Sequence, residues 1–258
     1  ATKENAPFLT SRWMQQYMTS KGPLGALYRV WGDGKQMVKG DIFDYFGQDG
    51  FTNEQLKKMG YIVWMPVQEK GSWLGEGDTG SFMNILSNGL EAWNDSYPGG
   101  WAGKPFYQDA NYVDPFSNDT TKKKKDLEIT ASSFKEMNGN EDGLIFPNFF
   151  PAAQNDFAAR MSWSTSNNYK LANHHPIVTL NIPRSIKAKA GQLIRMKASM
   201  LDPDHNQMSI HWMQFRKSES DLILPITEEN VSMLSFVIPK NAKKNQVAFL
   251  VATVKDDG

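Results

Sequence analysis

Residues that could do chemistry are concentrated in a short polar segment, residues 154–161, with the sequence QNDFAARM. Asp156 follows Asn155 there and precedes Arg160 by four positions. An Asp in this setting commonly caps a helix or forms an i,i+4 ion pair. Alternatively, Asp156 is a ligand of a hard cation and Asn155 contacts a substrate. Because Ca²⁺ takes roughly six to eight oxygen ligands, the metal hypothesis requires further carboxylates from elsewhere in the protein.

A second polar segment, residues 75–82, has the sequence GEGDTGSF. One interpretation is structural: Asp78 caps the helix that follows, and Glu76 is simply solvated. The functional interpretation is that Glu76 accepts hydrogen bonds from vicinal sugar hydroxyls, with Asp78 or Thr79 adding more. The sequence alone leaves both interpretations open.

The composition excludes several classes of function. Lys+Arg and Asp+Glu both number 28, so the formal net charge of zero gives no reason to expect nucleic acid or an anionic membrane as the main partner. No apolar run approaches the roughly 20 residues that cross a bilayer. The absence of Cys excludes disulfides, thiolate catalysis and Cys-ligated zinc. The 15 Phe, 8 Trp and 8 Tyr are mostly expected in the core, but exposed rings stack on sugars and so favour a carbohydrate ligand.

The first part of the chain combines helical patterns with one apolar run. A helix is predicted over residues 7–19, and Thr52 and Gln55 fit a capping box that opens a short helix. Residues 61–65 (YIVWM) predict a strand buried on both faces, followed by a loop and a helix over residues 79–87. This order is typical of an open α/β sheet, whose ligands bind at the carboxyl ends of its strands.

One strand is too few for such a sheet, which usually has about four to six. We therefore expect the missing strands to precede Ala1. Farther along the chain, apolar residues at helical spacing predict an amphipathic helix through the QNDFAARM segment; they are Phe150, Ala153, Phe157 and Met161.

Residues 171–258 predict an all-β domain. Five strands are expected, over residues 176–182, 192–200, 208–215, 231–238 and 246–255. A sandwich of this kind usually has about seven strands, so its last strand is expected to lie beyond Gly258. Between two of the strands, residues 202–206 (DPDHN) could bind Ca²⁺, although an Asx-stabilised turn is the commoner role of such a segment.

Four separated motifs resemble those of a known family, and they appear in its order. They are GPLGALY (residues 22–28), EGDTxSF (76–82), GGWxG (99–103) and QNDFAARM (154–161). The family is the bacterial secreted group called nucleoside-hydrolase-like, one member of which is described as cellulose-binding. The resemblance covers residues 20–175, and the remainder is similar to the family's C-terminal immunoglobulin-like domain.

The resemblance implies an α/β nucleoside-hydrolase fold over residues 1–170 and an immunoglobulin-like β-sandwich over residues 171–258. It also implies a Ca²⁺ ion whose water attacks the anomeric carbon, activated by an Asp expected upstream of Ala1. Asn155-Asp156 is similar to a His-Asp pair of that fold, which makes Asp156 the metal-ligand candidate. Because an amide cannot donate a proton to a departing base as an imidazolium can, Asn155 favours a saccharide over a nucleoside as the substrate.

The expected function is therefore that of a fragment of a glycan-active hydrolase that cleaves an N- or O-glycosyl bond. The resemblance implies secretion or export to the periplasm. The substrate would be a saccharide or a nucleoside-like molecule, bound by Asn155, Glu76, Asp78 and Thr79. The alternative is a non-catalytic carbohydrate-binding protein of cellulose type, in which Trp73, Trp93 and Trp101 could stack on sugars. A third interpretation is a structural module whose polar motifs are only helix caps.

Overall fold

The computed structural model describes residues 3–75, 80–92, 100–101, 148–215 and 221–257. The chain divides into two compact units. The first contains residues 1–78 and 150–174, and the second contains residues 79–149 and 175–258. The domain boundary placed at residue 170 from the sequence stays a prediction. No helix in the described part of the chain is both long and apolar enough to span a bilayer.

The first unit is mainly helical. A 3-10 turn at Ala6–Leu9 leads into α1 (Ser11–Met14), which continues as a π-helical segment at Gln15–Thr19. The later helical elements of this unit are α2 (Gly22–Leu27), α3 (Asn53–Lys58), α4 (Phe150–Trp163) and a 3-10 turn at Tyr169–Leu171. The helix predicted over residues 7–19 is present but broken at Thr10. The extended backbone of Thr10 lets its hydroxyl accept a hydrogen bond from the Trp13 N–H (3.2 Å) and so cap α1.

The predicted capping box at α3 is confirmed. The Thr52 hydroxyl accepts from the Gln55 N–H at 3.3 Å, and the Gln55 side chain accepts from the Thr52 N–H at 2.8 Å. Gly25 in α2 has a different role, because a Cβ at this position would lie 2.2 Å from the Met18 carbonyl oxygen. This close approach packs α2 against the end of the preceding helix and explains the second glycine of the GPLGALY motif.

Two apolar clusters support the first unit. One joins α1, the π-helical segment and α4 through the buried residues Met14, Met18, Ala158 and Met161. The other lies in residues 31–72, which we call the aromatic lobe, and is built on Trp31, Tyr45 and Leu56. Hydrogen bonds from the Trp31 N–H to the Ser72 oxygen (3.1 Å) and from the Gly71 N–H to the Trp31 oxygen (2.7 Å) close the lobe at its base.

The prediction of a strand over residues 61–65 is wrong. The segment is extended, but it forms no ladder within the described residues, and its side chains alternate between half-buried and exposed. Tyr61, Val63 and Met65 pack on the core of the lobe, whereas Ile62 and Trp64 are exposed to solvent. A continuous apolar run therefore suggested burial on both faces where only one face is buried.

The second unit contains five antiparallel strands: β1 (Ile177–Leu180), β2 (Leu193–Leu201), β3 (Ser209–Phe215), β4 (Met233–Val237) and β5 (Phe249–Lys255). All five predicted strands are confirmed. One sheet has the order β1-β2-β4 and the other pairs β3 with β5. Alternate residues of β2, β3 and β4 form a shared apolar core around Trp212, whose indole N–H donates to the Val231 oxygen at 2.8 Å. The immunoglobulin-like topology itself stays a prediction.

In addition to these strands, the described part of the second unit contains a 3-10 turn at Gly80–Asn84, where an α-helix over residues 79–87 was predicted. Residues 202–206 form the expected Asx-stabilised turn. One carboxylate oxygen of Asp202 accepts hydrogen bonds from the N–H groups of Asp204 and Asn206, both at 2.9 Å. These bonds identify Asp202 as a turn residue directly after β2.

Candidate functional site

Helix α4 carries both candidate residues of the QNDFAARM segment. Ala153, Gln154, Ala158 and Met161 are buried, and the intervening Asn155 is exposed. Asp156 lies in the middle of the helix, so the expectation that it caps the helix is wrong. The i,i+4 alternative is confirmed, because the Arg160 guanidinium donates to both carboxylate oxygens of Asp156, at 2.7 and 3.3 Å.

The proposed metal role of Asp156 can be tested against its surroundings. The side chain is only 12% exposed, and both of its oxygens are engaged by Arg160. Among the residues that the structure describes, no group of three or more His, Asp or Glu could hold a metal ion. These residues therefore do not form a Ca²⁺ site by themselves. Metal ligation by Asp156 stays a prediction, and it would require Arg160 to release the carboxylate.

Stacking of a guanidinium group and three aromatic rings fixes the carboxyl end of α4. Arg160 lies over the Trp163 ring, 5.4 Å from its centre, and the Trp163 ring is nearly parallel to that of His174, with centres 5.4 Å apart. His174 in turn stacks on Tyr169. The Trp163 indole N–H donates to the Asn173 oxygen at 2.6 Å. The guanidinium that holds Asp156 therefore lies over a ring that the segment after the helix holds in place.

The second polar segment begins next to the start of α4. A Cβ at Gly75 would lie 2.0 Å from the Trp73 indole, so only glycine lets the backbone pass over this ring. The same indole packs edge-on against Phe150, the first residue of α4, with ring centres 5.5 Å apart. The base of the segment 75–82 is therefore anchored at the amino end of the helix that carries Asn155. Glu76, Asp78 and Thr79 lie outside the described residues.

Trp73 itself is used for packing. Its side chain hydrogen-bonds to the Tyr28 hydroxyl, and the Tyr28 ring contacts Phe157 of α4 with ring centres 5.7 Å apart. Burial raises the pKa of Tyr28, and the hydrogen bond with Trp73 lowers it in part, so the hydroxyl is neutral at physiological pH. Of the other two tryptophans proposed as sugar platforms, Trp93 lies outside the described residues and Trp101 is half-buried.

The aromatic lobe has a solvent-exposed apolar surface that was not predicted from the sequence. The backbone N–H of Ile62 donates to the Ile42 oxygen at 2.9 Å, which joins two segments whose outward side chains are apolar. We call the exposed side chains of Phe43, Ile62 and Trp64 the aromatic ridge. The signal that could have revealed it is the period of two along residues 61–67, where odd positions face the core and even positions face water.

A buried ion network supports the loop that carries Phe43. Arg29 donates to Asp33 at 3.0 and 3.2 Å and to Asp44 at 2.8 Å, and the Lys35 N–H donates to Asp33 at 2.9 Å. Burial raises the pKa of Asp33, but the hydrogen bonds and charge of Arg29 and the Lys35 N–H outweigh it, so the pKa lies below its usual value. The Met37 N–H donates to Asp44 at 2.7 Å, so the network also fixes the backbone of this loop.

Comparisons with known proteins agree with the resemblance found in the sequence. Residues 1–105 match the model of the family described as cellulose-binding Sde182, nucleoside hydrolase-like domain. A solved structure of a nucleoside hydrolase-related hypothetical protein from Saccharophagus degradans, described as associated with carbohydrate metabolism, has a similar fold, with a TM-score of 0.57 and 22% sequence identity. The match covers 96% of this chain and 50% of that one, so the chain spans about half the length of its relative. A comparison with curated proteins gives no match.

Three of the four motifs, at residues 22–28, 76–82 and 99–103, lie within the range matched by the family model, and this match supports the resemblance. The mixed helices and antiparallel sheets of the chain are consistent with part of a nucleoside hydrolase-related fold. Residues 1–105 match the cellulose-binding, nucleoside-hydrolase-like family.

Proposed function

We propose that the chain is the saccharide-binding part of a nucleoside-hydrolase-like protein and that its ligand is a glucan of cellulose type. The observation that supports this function is the packing of Trp73 on Gly75 and against Phe150, which places Gly75, the first residue of one polar segment, at the amino end of the helix that carries Asn155. The family description supports the choice of a glucan. Because cellulose-type polymers lie outside the cell, secretion or export to the periplasm is part of the same proposal.

Asn155 is the central residue of this proposed site. It is exposed on α4, whereas its neighbours Gln154 and Asp156 are buried or paired with Arg160. A carboxamide has donors and an acceptor, so it can pair with a sugar hydroxyl in either direction. Glu76, Asp78 and Thr79 would supply further acceptors and donors for neighbouring hydroxyls. Such a set binds a neutral polyol without requiring a charged ligand.

Hydrolysis of an N- or O-glycosyl bond with a Ca²⁺-activated water is the further activity that we propose for the intact protein. It rests on the family resemblance, in which Asp156 corresponds to a metal ligand. Among the described residues, Asp156 is paired with Arg160, and no group of three or more His, Asp or Glu lies together to hold the ion. Saccharide binding is therefore the function that the geometry supports best.

Calorimetric titration with a soluble cello-oligosaccharide tests the binding function. Asn155→Ala should weaken binding by about three- to tenfold, the effect of losing one or two ordinary hydrogen bonds. Gln16→Ala is the matched control, because Gln16 is an exposed helical carboxamide in the same unit and should leave affinity unchanged. Equal affinities for the wild type and Asn155→Ala would show that Asn155 of α4 does not contact the ligand. Binding of a nucleoside in place of the oligosaccharide would refute the proposal that the ligand is a saccharide.

A further inference from the structure

The aromatic ridge leaves a large indole in water. Trp64 is 63% exposed, Ile62 two residues before it is also exposed, and Phe43 is exposed on the segment whose Ile42 oxygen accepts from the Ile62 N–H. These three side chains carry no charge, and alternate side chains of an extended segment project on the same side about 7 Å apart. The ridge is thus an uncharged surface of ring and alkyl groups, which an ionic ligand would not recognise.

Trp64 is held in place by packing and hydrogen bonds, although it is exposed. The Phe46 ring packs edge-on against Trp64 with centres 5.7 Å apart, and Phe46 packs in the same way against the buried Trp31 at 5.1 Å. The Tyr45 hydroxyl fixes the backbone next to Trp64, since it donates to the Met65 oxygen at 2.8 Å and accepts from the Met65 N–H at 3.0 Å. A ring held in this way loses little conformational freedom when a ligand covers it.

We propose that the aromatic ridge is a second saccharide site, separate from α4, on which the apolar faces of pyranose rings in a β-linked glucan stack. The equatorial hydroxyls of such a glucan leave both faces of each ring lined with C–H groups, which pack well on an indole. The ridge lies on the lobe whose core is the Trp31 cluster, whereas α4 contributes Ala158 and Met161 to the other cluster of this unit. The assignment relies on the proposed function only for the class of ligand, and the whole lobe lies inside the range matched by the cellulose-binding family.

Retention on insoluble cellulose tests this site, with soluble cello-oligosaccharide calorimetry as the second measurement. Trp64→Ala should lower the affinity for insoluble cellulose by about tenfold, the upper range for one aromatic contact. Trp64→Phe, which keeps a smaller ring, should show an intermediate loss. Met37→Ala is the matched control, because Met37 is 79% exposed on the same lobe but carries no ring, and it should bind as the wild type does.

Several outcomes would overturn the second site. Unchanged cellulose retention in Trp64→Ala would do so, as would an equal loss in Met37→Ala, which would indicate general apolar adhesion. A shift in the mass of the protein in solution with unchanged retention would show that a second copy covers the ridge. Failure of the α4 site is a separate result, because it appears as unchanged oligosaccharide affinity in Asn155→Ala. If Trp64→Ala does not fold, Trp64→Phe decides the question by the same two measurements.

Discussion

Arg29 is the cation whose removal should destabilise the aromatic lobe most. Its side chain is 18% exposed, and it bonds two carboxylates, Asp33 and Asp44, that are 7% and 8% exposed. Arg29→Met keeps much of the alkyl volume but leaves both carboxylates buried without their cation. Breaking a buried pair from one side costs about 3–5 kcal/mol, which is a large part of the roughly 5–15 kcal/mol that stabilises a typical domain.

Urea unfolding followed by tryptophan fluorescence measures this loss, with Lys70→Met as the control. Lys70 pairs with Asp49 at 2.6 Å, but these side chains are 64% and 47% exposed, so their pair should contribute less than about 1 kcal/mol. A loss for Arg29→Met no larger than that of the control would refute the assignment of a buried, stabilising network.

The same network predicts that the free energy of unfolding depends on pH. The pKa of Asp33 is lowered in the folded protein, so its contribution is present above the unfolded value of about 4 and is lost as the pH falls through the folded value. The difference in unfolding free energy between the wild type and Arg29→Met should therefore shrink in acid. A constant difference from pH 7 down to about pH 3 would contradict this reasoning.

Three further substitutions test individual contacts. Gly25→Ala should destabilise the first unit by more than about 1 kcal/mol in urea unfolding, because the new Cβ would lie 2.2 Å from the Met18 carbonyl oxygen. An unchanged urea midpoint would show that α2 can shift away from Met18 without loss of stability. Thr52→Ala should cost about 1 kcal/mol by removing the side-chain cap of α3, and Thr52→Ser, which keeps the hydroxyl, should restore most of it. Asp156→Ala should abolish calorimetric Ca²⁺ binding by the full-length protein, and unchanged binding would end the metal role of Asp156 even though the variant also releases Arg160.

Elements specified by local patterns could be predicted from the sequence. The strands of the second unit follow from alternation of apolar and polar residues, as in Ile194, Met196 and Ala198 of β2, and the α3 cap follows from Thr52 and Gln55. In these cases the residues that decide the structure are neighbours along the chain. The order of four motifs likewise indicated the resemblance to the nucleoside-hydrolase-like family, whose model matches residues 1–105, because each motif is local.

Features that depend on distant residues were missed or wrong. The run at residues 61–65 predicted a strand buried on both faces, but the second face has no covering partner among the described residues, and Trp64 faces water there. The Arg29 network joins positions 29, 33 and 44 through loop geometry that no periodicity indicates. The helical spacing from Phe150 correctly predicted a helix here, and the alternative that Asp156 caps it was wrong because Asp156 lies six residues inside that helix.

The side-chain amide of Asn155 offers the most direct measurement of saccharide binding at α4. Titration of isotope-labelled protein with a soluble cello-oligosaccharide, followed by amide NMR, reports on this group and on the backbone of the helix at once. We predict a saturable shift of the Asn155 side-chain amide and of the neighbouring α4 amides, with the side-chain amide of the control residue Gln16 unchanged. An Asn155 amide that does not shift at saturating ligand would contradict the proposed site.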